Sequence, residues 1–274
     1  MFTESGHFFV TDSTFTIDQS IRFNDDDSAQ LSKTYSGAGN RKTASISMWL
    51  KRANISATMD VFGANSSNLD TIRFNSNDTM MIRVGNADST NRLKAWWNNE
   101  ALTFSSYNVP SQDADTEFMN AVIHRIGTEG GGSSQFFDGY IAEIHVIDGT
   151  AKAATDFGEV STTTGQWIPK EYEGSYGTNG FYIDGRDSSD LGDDESGEGN
   201  DYASSGLSTA DQVSDSPTNN FCTWNAVDAG SGTLSDGNLV LASTTDRSGT
   251  FAMRSGKWAW KITTAASGAF GIVA

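Results

Sequence analysis

A single cysteine, Cys222, serves the whole 274-residue chain, so no intramolecular disulfide can form. That excludes the small secreted scaffolds stapled by disulfides, and a lone thiol of this kind reads as a small buried apolar side chain. Basic residues are scarce: 18 Lys and Arg stand against 35 Asp and Glu, a formal net charge of -17. Phosphate backbones and anionic lipids need clustered cations, so no nucleic-acid partner is expected. No apolar run approaches the roughly 20 residues of a membrane-spanning helix, and no membrane insertion is expected. Met1-Phe2-Thr3-Glu4-Ser5 lacks the basic stretch that opens a secretory leader. The expectation is a chain assembled in a cytoplasm, or leaving one without a classical signal. Proline is rare, at 3 residues, and few stretches have helical periodicity.

What the chain does have is turn formers between short apolar runs. Its 28 glycines and its Ser, Thr, Asn and Asp residues separate β-forming segments at regular spacing, the texture of an all-β protein. The longest such segment runs from Phe136 to Gly149. Alternation there puts Tyr140, Ala142, Ile144 and Val146 on one face and Ile141, Glu143, His145 and Ile147 on the other. The second face is less polar than a solvent face, so the strand is expected near the middle of a sheet, covered on both sides. Gly139 marks a bulge or a close backbone approach, and Asp148-Gly149 a turn. Upstream, Ser20-Phe23, Ala29-Ser32, Thr43-Lys51, Met59-Gly63, Asp70-Phe74, Met80-Val84, Arg92-Trp97, Ala101-Phe104 and Ala121-Gly127 read as further strands. In Thr43-Lys51 the alternation sets Ala44, Ile46, Met48 and Leu50 against Ser45, Ser47 and Trp49.

Four regions follow. Residues 1-19, with Phe2, Phe8, Phe9 and Phe15, form a hairpin or an arm that packs on something else; residues 20-158 form a β-sandwich; residues 159-218 are a Gly-, Ser- and Asp-rich connector or irregular subdomain; residues 219-274 are a second, smaller β region.

Ser20 to Ala29, Ile46 to Lys51, Lys94-Ala95-Trp96-Trp97-Asn98-Asn99 and Phe137 to Ile144 resemble, in order, the landmarks of a laminin-G-like, concanavalin-A-like jelly roll. The version resembled is that of virion and tail-fibre proteins of tailed bacteriophages, particularly of marine bacteria. Gly177 to Tyr182, Asp194 to Asp201 and Ser216 to Cys222 are similar to stretches that follow the domain there, and Ser255 to Trp260 resembles the entry to a SPRY-like sandwich. The resemblance implies an antiparallel β-sandwich jelly roll with a partial SPRY-like region behind it. It also implies a structural virion component: a tail fibre, spike or capsid decoration, with other virion proteins and a host surface glycan as partners. A homo-oligomer, a trimer among the expected forms, would bury the N-terminal aromatics. The alternative is a lectin-like adhesion module of a bacterial surface or secreted protein.

Site chemistry is sparse. Glu143 is the one acid inside a strong strand, without a second carboxylate two or four residues away, so no catalytic residues are assigned and no enzymatic activity is expected. His7, His124 and His145 lack metal-ligand spacing. Asp25, Asp26 and Asp27, and the run Asp193-Asp194-Glu195, offer oxygens of the kind calcium takes, and no other cofactor is expected. For glycans the candidates are outward aromatics, Trp96, Tyr107, Trp49 and Trp167, whose rings would stack on sugars.

Overall fold

The computed structural model describes residues 15–65, 70–85, 91–97, 102–107, 118–225, 233–235, 238–242, 247–251 and 262, with the backbone alone at 84–85, 91–97, 102–107 and 235. Of the N-terminal arm, residues 1–14 lie outside these, as does Ser255 to Trp260, the entry to the SPRY-like region. No helix among the described residues is long and apolar enough to cross a membrane.

Ten strands lie between residues 20 and 148: β1 (Ser20–Phe23), β2 (Gln30–Thr34), β3 (Ala44–Arg52), β4 (Met59–Ala64), β5 (Asp70–Phe74), β6 (Met80–Gly85), β7 (Asn91–Trp97), β8 (Leu102–Tyr107), β9 (Ile123–Ile126) and β10 (Gly139–Asp148). Shorter ones follow: β11 (Gly158–Val160), β12 (Trp167–Pro169), β13 (Phe181–Ile183), β14 (Ala203–Ser205), β15 (Gln212–Val213), β16 (Thr233–Ser235) and β17 (Val240–Ala242). The protein is all-β, with antiparallel sheets. The larger sheet has eight strands in the order β14-β2-β9-β4-β5-β6-β7-β8. The smaller is built on β10: β3 lies along one edge, while β1 and then β13 share the other, and β15 pairs with β1.

The two sheets enclose one core. Ile21, Phe23, Ile141, Ile144, Val146, Phe181 and Ile183 meet Leu31, Met59, Val61, Phe62, Ala64 and Ile126 across it, with Ile46, Met48 and Leu50 packed against them. The alternation read in β3 therefore holds. Gly139, at φ 151, shows the close approach expected of it: a Cβ there would strike the Lys51 carbonyl, backbone that cannot yield.

The alternation read through β10 does not hold along its whole length. Ile141 pairs with Leu50 and Val146 with Ile46, so β10 spends one residue more than β3 between those points. The extra residue is absorbed at a bulge between Ala142 and His145, where Glu143 adopts φ 51. The bulge falls where β1 ends its pairing and β13 begins its own. It exchanges the faces, so that Ile141 joins Ile144 and Val146 in the core while His145 and Ile147 point away from it.

The segment 159–218 does more than connect. β13 completes the smaller sheet, β14 pairs with β2 at the edge of the larger one, and β15 pairs with β1. Its acids fold it: Asp194 accepts the backbone N–H groups of Tyr182, Ser196 and Asn200. Asp148, at the end of β10, similarly gathers the N–H groups of Asn40 and Asn179. Further on, β16 and β17 form a hairpin, tied to the sandwich by Asn238 Nδ2 donating to the Ala53 carbonyl at 2.6 Å.

Candidate functional site

The outer face of the smaller sheet carries the densest chemistry among the described residues. Because of the bulge, Glu143 and His145 both stand away from the sandwich core, 4 % exposed each. Tyr182 lies directly across from His145 in the pairing of β10 with β13, and the two rings stack at 4.4 Å with planes 5° apart. The Tyr182 hydroxyl donates to Glu143 Oε2 at 2.8 Å, and the same oxygen is 3.5 Å from His145 Nε2. On the other side of the ring, Nδ1 is 2.8 Å from the Tyr176 hydroxyl. The four groups close as one chain when Tyr176 donates to Nδ1 and the His145 proton sits on Nε2, towards Glu143.

Phe157 and Tyr172 stack on one another at 5.0 Å and cover the His145 ring. Ile147, Phe157 and Tyr176 thus make a second, smaller core on this face. Burial, and then the Glu143 carboxylate, raise the Tyr182 hydroxyl far above the usual phenol range, and burial chiefly does the same for Tyr176. Both phenols stay protonated and serve as donors. A crevice lined by Phe15, Ser47, Trp49, Glu143, His145 and Phe157 leads towards the pair but is too narrow to hold a water molecule. A reacting group has no room between acid and imidazole in this arrangement.

The four aromatic candidates do not converge. Trp49, paired with Ala142, lines that crevice. Trp167 sits on β12, pairs with Val160 and is 43 % exposed. Trp96 and Tyr107 belong to β7 and β8, the last two strands of the larger sheet, and their side chains lie outside what the structure describes.

Asp25, Asp26 and Asp27 form a short 3-10 turn capped by Asn24, whose side chain accepts from Asp26 N and donates to Asp27 Oδ2. Among the described residues no group of three or more His, Cys, Asp or Glu stands where it could hold a metal ion. The turn acts instead on Asp138. Burial first, and then the charges of Asp25 and Asp26, push the Asp138 carboxyl up to about 7. A folded-state value above the unfolded one means that Asp138 favours the fold fully below about pH 4, and that this contribution is lost as pH rises through 7. Asp138→Asn is therefore expected to raise stability at pH 8 by about 1 kcal/mol, a figure reduced for the partial solvent exposure of the group, and to change nothing at pH 4. Urea midpoints at the two pH values check this; equal differences at both would remove Asp138 as the cause.

Glu143 and His145 are visible in the sequence as the polar members of a strong strand, but their partners are not. Tyr172, Tyr176 and Tyr182 come from the Gly-, Ser- and Asp-rich segment, where nothing local pairs them with a strand far upstream. Comparison with protein-family models, curated proteins and solved structures returns no match to this chain.

Proposed function

We propose that this chain is a non-enzymatic structural component of a tailed-bacteriophage particle, a tail fibre, spike or capsid decoration built on a laminin-G-like jelly roll and working by contact with other virion proteins and host glycans. The observation that carries the binding half of this reading is the closed state of the acid–histidine pair on this face: Glu143 is engaged by Tyr182, His145 lies between aromatic rings, and no water fits beside them. A buried, fully satisfied polar cluster rigidifies a scaffold, whereas a general acid or base must reach its substrate. The virion half rests on the ordered landmarks of the sequence. Three of these strands, β1, β3 and β10, lie side by side in the smaller sheet.

Exposed apolar residues suit assembly, since Val160 and Trp167 stand as a cross-strand pair on the β11–β12 hairpin, 59 % and 43 % exposed. A homo-oligomer, such as a trimer, would cover them. Mass spectrometry of purified particles tests the reading, with the chain expected among the virion proteins at a fixed copy number. Its absence from particles, together with its presence on bacterial envelopes, would favour the adhesion module instead. For the glycan contact, a glycan array is expected to lose signal with Trp96→Ala while the variant melts as the wild type does.

A further inference from the structure

Lys51, next to last in β3, carries its ammonium past the Tyr140 ring, 5.5 Å from its centroid, to a strap of chain formed by residues 215–221. Three oxygens meet Nζ there: Asp215 Oδ2 at 2.6 Å, Asn220 Oδ1 at 2.9 Å and the Phe221 carbonyl at 2.9 Å. The strap is held in place by other bonds. Ser216 and Asn219 bridge one another, Asn219 Nδ2 donates to the Ser214 carbonyl, Ser20 Oγ donates to the Asp215 carbonyl, and Asp215 Oδ1 accepts from Phe221 N at 3.1 Å. Asp215 is 2 % exposed. A plain ion pair would need only Lys51 and Asp215. The carboxamide beside them adds an electrophile, so that the amine has a buried proton carrier and the oxygen of an acyl group with a nitrogen leaving group both within hydrogen-bond reach. Such fixed proximity replaces most of the entropic cost of amide formation.

We propose that Lys51 and Asn220 become joined by an isopeptide bond between Lys51 Nζ and Asn220 Cγ. The Lys51 ammonium passes a proton to the Asp215 carboxylate, and the freed amine pair adds to Cγ while the C=O π pair moves onto Oδ1. Asp215 returns the proton to Nδ2, the tetrahedral adduct collapses with re-formation of C=O, the C–Nδ2 bond breaks, and the departing ammonia takes a second proton from Nζ. One ammonium and one carboxamide thus give one secondary amide and one ammonium ion, with no oxidant, reductant or cofactor. Asp215 touches the reacting nitrogen and ends as it began. The product ties the edge strand of the smaller sheet to a strap 169 residues further on. A covalent clamp of this kind keeps β3 in place when the chain is loaded or heated.

Intact-mass measurement of the full chain decides the matter. Wild type, after prolonged incubation at neutral pH, is expected to weigh about 17 Da less than its sequence, the mass of the ammonia released in this acyl transfer. Lys51→Arg, which keeps the charge facing Asp215, and Asp215→Asn, which removes the proton carrier, are expected at their sequence masses. A tryptic digest of wild type should contain one branched peptide joining the segments around Lys51 and Asn220, absent from Lys51→Arg. A wild-type mass without the loss overturns the proposal. So does an equal loss in Lys51→Arg, which would report succinimide formation at an asparagine instead.

Discussion

Replacing Asp60 with alanine is expected to cost about 3–5 kcal/mol of folding stability, the range for stranding the partner of a buried ion pair. Asp60 is 0 % exposed in β4, beneath the sheet position it shares with Arg73 of β5. Its carboxylate takes two parallel bonds from that guanidinium, at 2.6 and 2.7 Å, and a third from the Thr71 hydroxyl at 2.7 Å. Burial chiefly pushes the Asp60 carboxyl up, with the Glu129 charge adding to it, and the Arg73 and Thr71 bonds act against it. Alanine would leave a guanidinium that is itself only 14 % exposed without its acceptor, and a buried hydroxyl without one as well. The asymmetry between breaking the pair and replacing it is the test. Asp60→Leu combined with Arg73→Met should recover most of the loss, because two apolar side chains of similar volume need no compensation. Guanidinium unfolding midpoints of the single and double variants, at unchanged m, measure this. A single-variant cost below about 1 kcal/mol would class the pair with surface ion pairs and sink the argument.

How much of this was legible in the sequence depends on the range over which each feature is determined. β1, β3, β5 and β10 were readable because their alternation is local, and the β3 pattern of Ile46, Met48 and Leu50 meets the core as expected. The bulge in β10 was not. One inserted residue leaves no compositional trace when the left-handed position is taken by Glu143 rather than glycine, yet it reverses every facing assignment on its far side. β13, β14 and β15 were missed as sheet members because strands of two or three residues are defined by partners far away, such as β14 by β2. The run Asp193-Asp194-Glu195 offers oxygen ligands by composition, whereas Asp194 spends its oxygens on backbone N–H groups. Lys51, Asp215 and Asn220 share no local pattern; only the fold brings them together.

Glu143 offers a substitution whose sign separates a structural role from a functional one. A non-glycine residue at φ 51 inside a strand carries backbone strain of about 1–3 kcal/mol, and such strain is often kept for function. If Glu143 were poised for chemistry, its removal would release that strain, and Glu143→Gly would stabilise the protein. The geometry leads to the opposite expectation. The carboxylate closes the Tyr182–Glu143–His145–Tyr176 chain, so its loss strands a half-buried phenol and a buried imidazole. Glu143→Ala is expected to cost about 2–3 kcal/mol, and Glu143→Gly about 1 kcal/mol less than that because glycine accepts the positive φ freely. Combined with Tyr182→Phe, the cycle should show a coupling of about 1.5–3 kcal/mol, the worth of a hydrogen bond to a charged acceptor. Thermal or urea unfolding of the four proteins supplies these numbers. A stabilised Glu143→Gly would mean that the fold bears Glu143 against its own interest, and the closed crevice beside Trp49 would then have to open for a ligand.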